Sequence, residues 1–242
     1  MGFLGAASRL TLLILSVHFF VRASSAPVRT PTLPPFGPTL AEKREWVFVR
    51  VIVYVYPVLQ ILYISTSFFE YSFIIATHFH STWLFLNKHL PLPTMPSEAP
   101  HPGYTPTLAL LIGVLGGYLR VLSFKTLGNA FTFNVTRQSP KLVTTGPYSL
   151  VRHPSYLGAS LMLAGITLYH LSPGSWLRES GILQKHVWKM ALGLWIFITI
   201  FVTNICQVLR VQDEDQLMQK MFGKEWEAWR KVVRYKMIPG LY

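Results

Sequence analysis

The chain has 242 residues, 51% of them hydrophobic and only 13% charged, with 22 Lys and Arg against 10 Asp and Glu for a formal charge of +12. A soluble domain carries about 25% charge, so a water-covered globule is set aside in favour of an integral membrane protein. The single cysteine, Cys206, excludes an internal disulfide and a cysteine-rich metal site, and it reads as a small apolar helix residue.

The first segment carries Arg9, an apolar run from Leu10 to Val21, and then small residues. This pattern fits a cleaved signal peptide or a first membrane helix, and a multi-spanning chain favours the second. Residues 22–45 hold Pro27, Pro31, Pro34, Pro35 and Pro38 and read as a linker without helical period. Trp46 to Leu86 is apolar and aromatic, with Glu70, His78 and His80 inside it. It predicts a helical hairpin, or one long tilted span followed by an interfacial segment. Residues 89–106 are proline-rich and cannot be helical throughout.

Thr107 to Phe124 is a clearer span. Gly113 and Gly117 make a small-xxx-small face for close helix packing, and Arg120, near the end, is expected to snorkel to the interface. The run "GVLGG" lacks a preceding strand and is not read as a nucleotide loop. Lys125 to His153 is basic without a single acid, Tyr156 to Leu171 is the next apolar run, and Trp188 to Leu209 is the last span. The runs approach the ~20 residues a membrane helix needs. The expected fold is therefore an all-α integral membrane protein with five or six transmembrane helices and a cytosolic, amphipathic helical tail.

The basic segment 125–153 and the basic tail after Leu209 are separated by two spans, so they share a side, and the positive-inside rule makes it cytosolic. The basic linker 22–45 would prefer the same side, which needs an even number of crossings before Lys125; the clearest sequence count is three. The motif "NVT" at Asn134 is a glycosylation acceptor by pattern, and a cytosolic loop predicts that it stays bare.

Two blocks concentrate chemistry. "TGPYSLVRHPSYLG" (145–158) opens a membrane helix with Tyr148, Arg152, His153, Pro154, Ser155 and Tyr156. Pro154 suits the first helical turn, where its missing N–H costs nothing. In the tail, Arg210 and Glu214 stand at i and i+4 and so share a helix face. Gly223 is placed to end that helix. Trp226 and Trp229 then recur beside Lys224, Arg230 and Lys231, a pattern expected at headgroup depth. Taken alone, each residue has an ordinary structural explanation.

Together, "GPYSLVRHPSYLG" and, some fifty residues later, "RVQDEDQLMQKMFGKEWEAWRKVV" resemble the isoprenylcysteine carboxyl methyltransferase family over about residues 105–242. Phospholipid methyltransferases and membrane sterol reductases carry related versions of the first block. The resemblance implies a multi-pass enzyme of the endoplasmic reticulum that uses S-adenosylmethionine to methylate the C-terminal carboxylate of prenylated proteins, with no role for nucleic acid or a metal. Residues 1–106 would then supply membrane helices and linkers, and 107–242 the catalytic region. The resemblance carries cofactor binding onto Lys141, Leu142, Val143, Tyr148, His153, Pro154, Ser155, Tyr156 and Glu214, and the substrate carboxylate onto Arg210. Pro140 stands where many members have histidine, Asp215 where Glu is usual, and Trp226 and Trp229 where tyrosines are common. Arg152 is assigned either to the cofactor or to phosphate headgroups. The alternatives are a phospholipid N-methyltransferase, a sterol reductase using NADPH, and a non-catalytic scaffold.

Overall fold

The computed structural model describes residues 3–25, 36–78, 88, 103–128 and 141–241. The described residues are all-α: α1 (Phe3–Ser24), α2 (Leu40–Arg50), α3 (Tyr56–His78), α4 (Thr105–Leu127), α5 (Pro154–Leu171), a short α6 (Trp176–Glu179), α7 (His186–Ile196), α8 (Thr203–Phe222) and α9 (Lys224–Val232). A π-helical turn, Val51–Val55, joins α2 to α3, and another, Phe197–Val202, joins α7 to α8. Four helical rods are long and apolar enough to cross a membrane: Leu4–Ser24, Glu42–Thr77, Thr105–Leu127 and His186–Phe222. The described residues thus hold four such rods where the sequence predicts five or six spans, and the 18-residue α5 is not among them. His80, Asn134 and Pro140 lie outside the described residues.

Of the two readings of 46–86, the structure has the single long span rather than the hairpin as far as His78, one continuous helical rod. The helix also begins earlier than the expected linker boundary at residue 45. Thr39 caps it, Glu42 N–H donating to Thr39 Oγ1 at 3.3 Å and Thr39 N–H to Glu42 Oε2 at 3.0 Å. "TLAE" is thus a reciprocal capping box, a signal present in the sequence. One rod here, followed by α4, leaves two candidate spans among the described residues between the linker and Lys125, an even number. Ala23, Arg44, the turn before α5 and the tail meet at one end of the bundle.

Glycine sets the central packing. A Cβ on Gly158 would lie 2.7 Å from the Gly116 carbonyl oxygen, and one on Gly165 would lie 2.7 Å from that of Ala109. Only bare backbones allow α4 and α5 to approach this closely. Gly117 serves a different neighbour, because a Cβ there would reach 2.7 Å from Phe19 Cβ on α1. Phe20, Tyr63, Leu59, Met162, Leu163 and Ile166 complete the core between α1, α3 and α5.

Arg120 does not snorkel outward. It is buried, its Nε donating to the Ala23 carbonyl at 2.9 Å and its Nη1 to Ser155 O and Oγ, both at 3.1 Å. It ties the end of α1 to the start of α5, and the Ala23 carbonyl lies in the last turn of α1, where carbonyls lack an intrahelical partner. At the opposite end, buried Glu70 on α3 lies 3.9 Å from Arg9 on α1 and accepts from the Tyr169 hydroxyl at 3.1 Å, while Arg9 donates to the Gly174 carbonyl at 2.7 Å. Neither charge faces lipid, as the cost of an unpaired intramembrane charge demands.

Candidate functional site at the polar end of the bundle

The turn Gly146–Ser149 leads into His153, the N-cap of α5, with Pro154 in the first turn. Gly146 enters it at φ 60, a left-handed backbone that glycine adopts without strain. The long α8 brings the tail residues alongside this doorway. His153 Nδ1 lies 3.3 Å from Glu214 Oε2, and its Nε2 lies 3.0 Å from Asp215 Oδ1. A neutral imidazole has one donor and one acceptor nitrogen. With a carboxylate at each nitrogen, the ring satisfies both only as imidazolium. Burial opposes that charge, but the hydrogen bonds and negative charges of Asp215 and Glu214 outweigh it and raise the His153 pKa above its ordinary value.

Glu214 collects three donors. Arg210 Nε donates to its Oε1 at 2.7 Å, the Tyr156 hydroxyl donates to the same oxygen at 2.6 Å, and His153 approaches Oε2. The Tyr156 ring lies parallel to the His153 ring, with centroids 5.8 Å apart. Arg152 pairs with the other acid, its Nη2 lying 3.2 Å from Asp215 Oδ2. Tyr148 is buried beneath the cluster, and that burial raises its phenol pKa.

The i, i+4 pair of Arg210 and Glu214 forms as its spacing predicts, but it is part of a larger assembly. Glu45 on α2 accepts from Arg210 Nη1 at 2.6 Å, and the guanidinium sits 4.0 Å over the Phe48 ring. Nothing in the second block of sequence indicates Glu45 or Phe48. The available signal was weaker: an arginine on a membrane rod needs more than one partner, and "AEKREW" holds acids on the strand of chain that returns to that end. Beside Arg210, a groove of about 560 Å³ runs between α2 and α8, its apolar lining including Val47, Phe48, Leu209 and Leu217.

Several expectations change. The backbone N–H groups of Arg152 and His153 donate to the carbonyls of Tyr235 at 3.0 Å and Lys236 at 2.7 Å. The tail therefore folds back over the doorway. Ser155 is held by Arg120. Trp226 is buried rather than set at headgroup depth, with Arg152 5.9 Å and Arg230 5.4 Å from its ring centre. Gly223 ends α8 at φ 51, as its position predicts. Lys141, Leu142 and Val143 form an extended approach to the turn, Lys141 exposed and the other two half-buried. Arg152, Arg230, Arg234 and Lys236 line a second cavity of about 450 Å³.

Residues 104–178 match the phospholipid methyltransferase family model. The matched stretch holds α4, the doorway and α5, and it ends before α8 brings in Arg210 and Glu214. The chain is 39% identical over 129 residues to the protein-S-isoprenylcysteine O-methyltransferase of Saccharomyces cerevisiae, covering 52% of this chain and 46% of that protein. It is 26% identical over 129 residues to a probable protein-S-isoprenylcysteine O-methyltransferase of Oryza sativa subsp. indica, covering 52% and 57%. It is also 28% identical over 163 residues to a Delta(14)-sterol reductase of Gibberella zeae, covering 56% of this chain and 33% of the reductase. The chain thus spans a third to somewhat over half of the length of these relatives. No solved structure matches it.

Proposed function

We propose that the protein transfers the methyl group of S-adenosylmethionine to the C-terminal α-carboxylate of a prenylated cysteine, forming a methyl ester. The reaction is assigned to the endoplasmic reticulum membrane, with the polar end of the bundle and the tail facing the cytosol. The observation that carries this reading is the buried Arg210 guanidinium beside an apolar groove. Its planar fork suits a carboxylate, and the groove suits a hydrocarbon tail. The family match and the yeast relative support methyl transfer as the general chemistry.

The residues present suit the cofactor in charge and in hydrogen-bonding character. An ionised carboxylate offers about four acceptor directions, so the three donors on Glu214 leave room for an ammonium or a ribose hydroxyl, and Asp215 adds further acceptors. The Tyr148 and Tyr156 rings suit adenine or a sulfonium, the latter by cation–π attraction. Lys141, Leu142, Val143, His153, Pro154 and Ser155 complete the proposed binding set, and Arg152, paired with Asp215, borders it. When bound, S-adenosylmethionine supplies an electrophilic methyl on a positively charged sulfur.

An α-carboxylate has a pKa of about 3.3–3.7, so the acceptor is ionised at neutral pH and no general base is required. Arg210 holds one carboxylate oxygen and leaves the other to attack. Transfer would form a bond from that oxygen to the methyl carbon with loss of the carbon–sulfur bond, and would require no proton movement from this chain. What this chain contributes is alignment and the exclusion of water. Prenylated proteins are the proposed substrates, and membrane lipids the surroundings.

A second reading has its own observation. The cavity lined by Arg152, Arg230, Arg234 and Lys236 would suit the phosphates of NADPH, in keeping with the sterol reductase relatives. Purified protein in liposomes separates the readings. It would be offered labelled S-adenosylmethionine with farnesylcysteine or phosphatidylethanolamine, and separately NADPH with a Δ14-sterol. Base-labile label on farnesylcysteine is the expected result. Label only on phosphatidylethanolamine, or sterol reduction without methyl transfer, overturns the proposal.

A further inference from the structure

Arg210, the residue proposed to grip a substrate carboxylate, already grips two. Its Nη1 donates to Glu45 Oε2 at 2.6 Å while its Nε is committed to Glu214 at 2.7 Å. The two carboxylates differ in their attachment. Glu214 is one helical turn from Arg210 on the same helix and is also held by Tyr156 and His153. Glu45 belongs to α2, a two-to-three-turn segment capped at Thr39 and joined to α3 through the π-helical turn Val51–Val55. The rod bearing Arg210 carries a second such turn, Phe197–Val202. Single-turn π insertions frequently mark functional sites and break the regular hydrogen-bond ladder. A second ion pair between the same two helices, Arg44 with Asp213 at 3.4 Å, is partly open to solvent. The groove between α2 and α8 has Glu45 and Arg210 in its lining, so both ends of the bridge border the space proposed for the substrate.

We infer that Glu45 is an internal competitor for Arg210 that a substrate carboxylate displaces and that reclaims Arg210 once the product is neutral. This rests on the carboxyl-methylation reading above. Glu214 takes the Nε of Arg210 and Glu45 its Nη1, and a third carboxylate would add like charge beside both, so Glu45 and an anionic acceptor compete for Arg210. Methylation removes the acceptor's charge. The ester then offers only a neutral carbonyl, Glu45 again outbids it, and its return favours product release. Glu45 thus positions and selects without touching the reacting atoms.

The test measures three ligands in liposomes: farnesylcysteine as substrate, its methyl ester as a product inhibitor, and S-adenosylmethionine. Removing the competitor restores the fraction of molecules with an available Arg210, so Glu45→Gln is expected to lower the KM for farnesylcysteine roughly tenfold. The inhibition constant of the methyl ester should not fall with it, because the ester does not need that grip. Glu45→Asp, which keeps the charge, should stay near the wild-type ratio of acid to ester affinity. A merely structural role would move both ligands together. If Glu45→Gln leaves that ratio unchanged or raises the KM while the wild type methylates farnesylcysteine, the competitor role is overturned and the proposed function stands. If the wild type methylates no farnesylcysteine, the proposed function fails and takes this inference with it.

Discussion

The Tyr156 hydroxyl donates to Glu214 Oε1 at 2.6 Å, a partner 58 positions further along the sequence. This contact locks the start of α5 to α8. Tyr156→Phe keeps the ring beside His153 but removes one donor from a carboxylate that also serves Arg210. A hydrogen bond to a charged group contributes about 1.5–3 kcal/mol. A loss of that order is expected in detergent unfolding, together with weaker S-adenosylmethionine binding by calorimetry. Unchanged values on both counts would remove Tyr156 from the network's supporting set.

The His153 pKa is raised by its two carboxylates. A group whose folded pKa lies above its unfolded value contributes fully below the unfolded value, about 6.5, and loses that contribution as pH rises through the folded pKa. The thermal midpoint should therefore fall as pH is raised from 6.5 through the folded pKa. His153→Gln should flatten that slope. An equal slope in the variant would place the titration elsewhere.

Arg120 joins α1, α4 and α5 through Ala23 and Ser155. Arg120→Met retains length and apolar bulk but takes the donor from the Ala23 carbonyl in the last turn of α1. Leaving a buried polar group unsatisfied costs about 1–3 kcal/mol, so a fall in thermal midpoint is expected. Because Ser155 adjoins Tyr156, cofactor affinity should fall with it. A midpoint equal to the wild type would show that the tie is dispensable.

Gly165→Ala would set a methyl 2.7 Å from the Ala109 carbonyl oxygen, whereas Gly193 has nothing within 4 Å of a built Cβ. Overpacking of this kind costs about 1–3 kcal/mol. Detergent unfolding should show the loss for Gly165→Ala and none for Gly193→Ala. Equal behaviour would mean that α4 and α5 are less closely packed than described.

The pair of Arg9 and Glu70 permits a double-mutant cycle. Arg9→Met leaves Glu70 buried without its cation, a change costing about 3–5 kcal/mol when a buried pair is broken on one side. Adding Glu70→Gln should recover part of the loss, because a neutral amide does not need the cation. Strict additivity of the two changes would show that the residues do not interact.

Composition and apolar run length determined the helical membrane fold, since a chain with so little charge has few other ways to satisfy its backbone. The positions of Gly223, Pro154 and the Arg210–Glu214 pair were likewise legible, because caps and i, i+4 neighbours are local. The capping box at Thr39 was legible too, yet the prolines before it drew the linker too far. Tertiary structure alone decided what is not local. It turned Arg120 inward, buried Trp226, divided Gly116 and Gly117 between two neighbouring helices, and brought the tail carbonyls of Tyr235 and Lys236 onto the doorway. It also brought Glu45 to Arg210 from 165 residues away. The reason is physical: a buried charge takes its partner from whichever helix packing places beside it, and sequence spacing specifies neighbours along one helix but not across several.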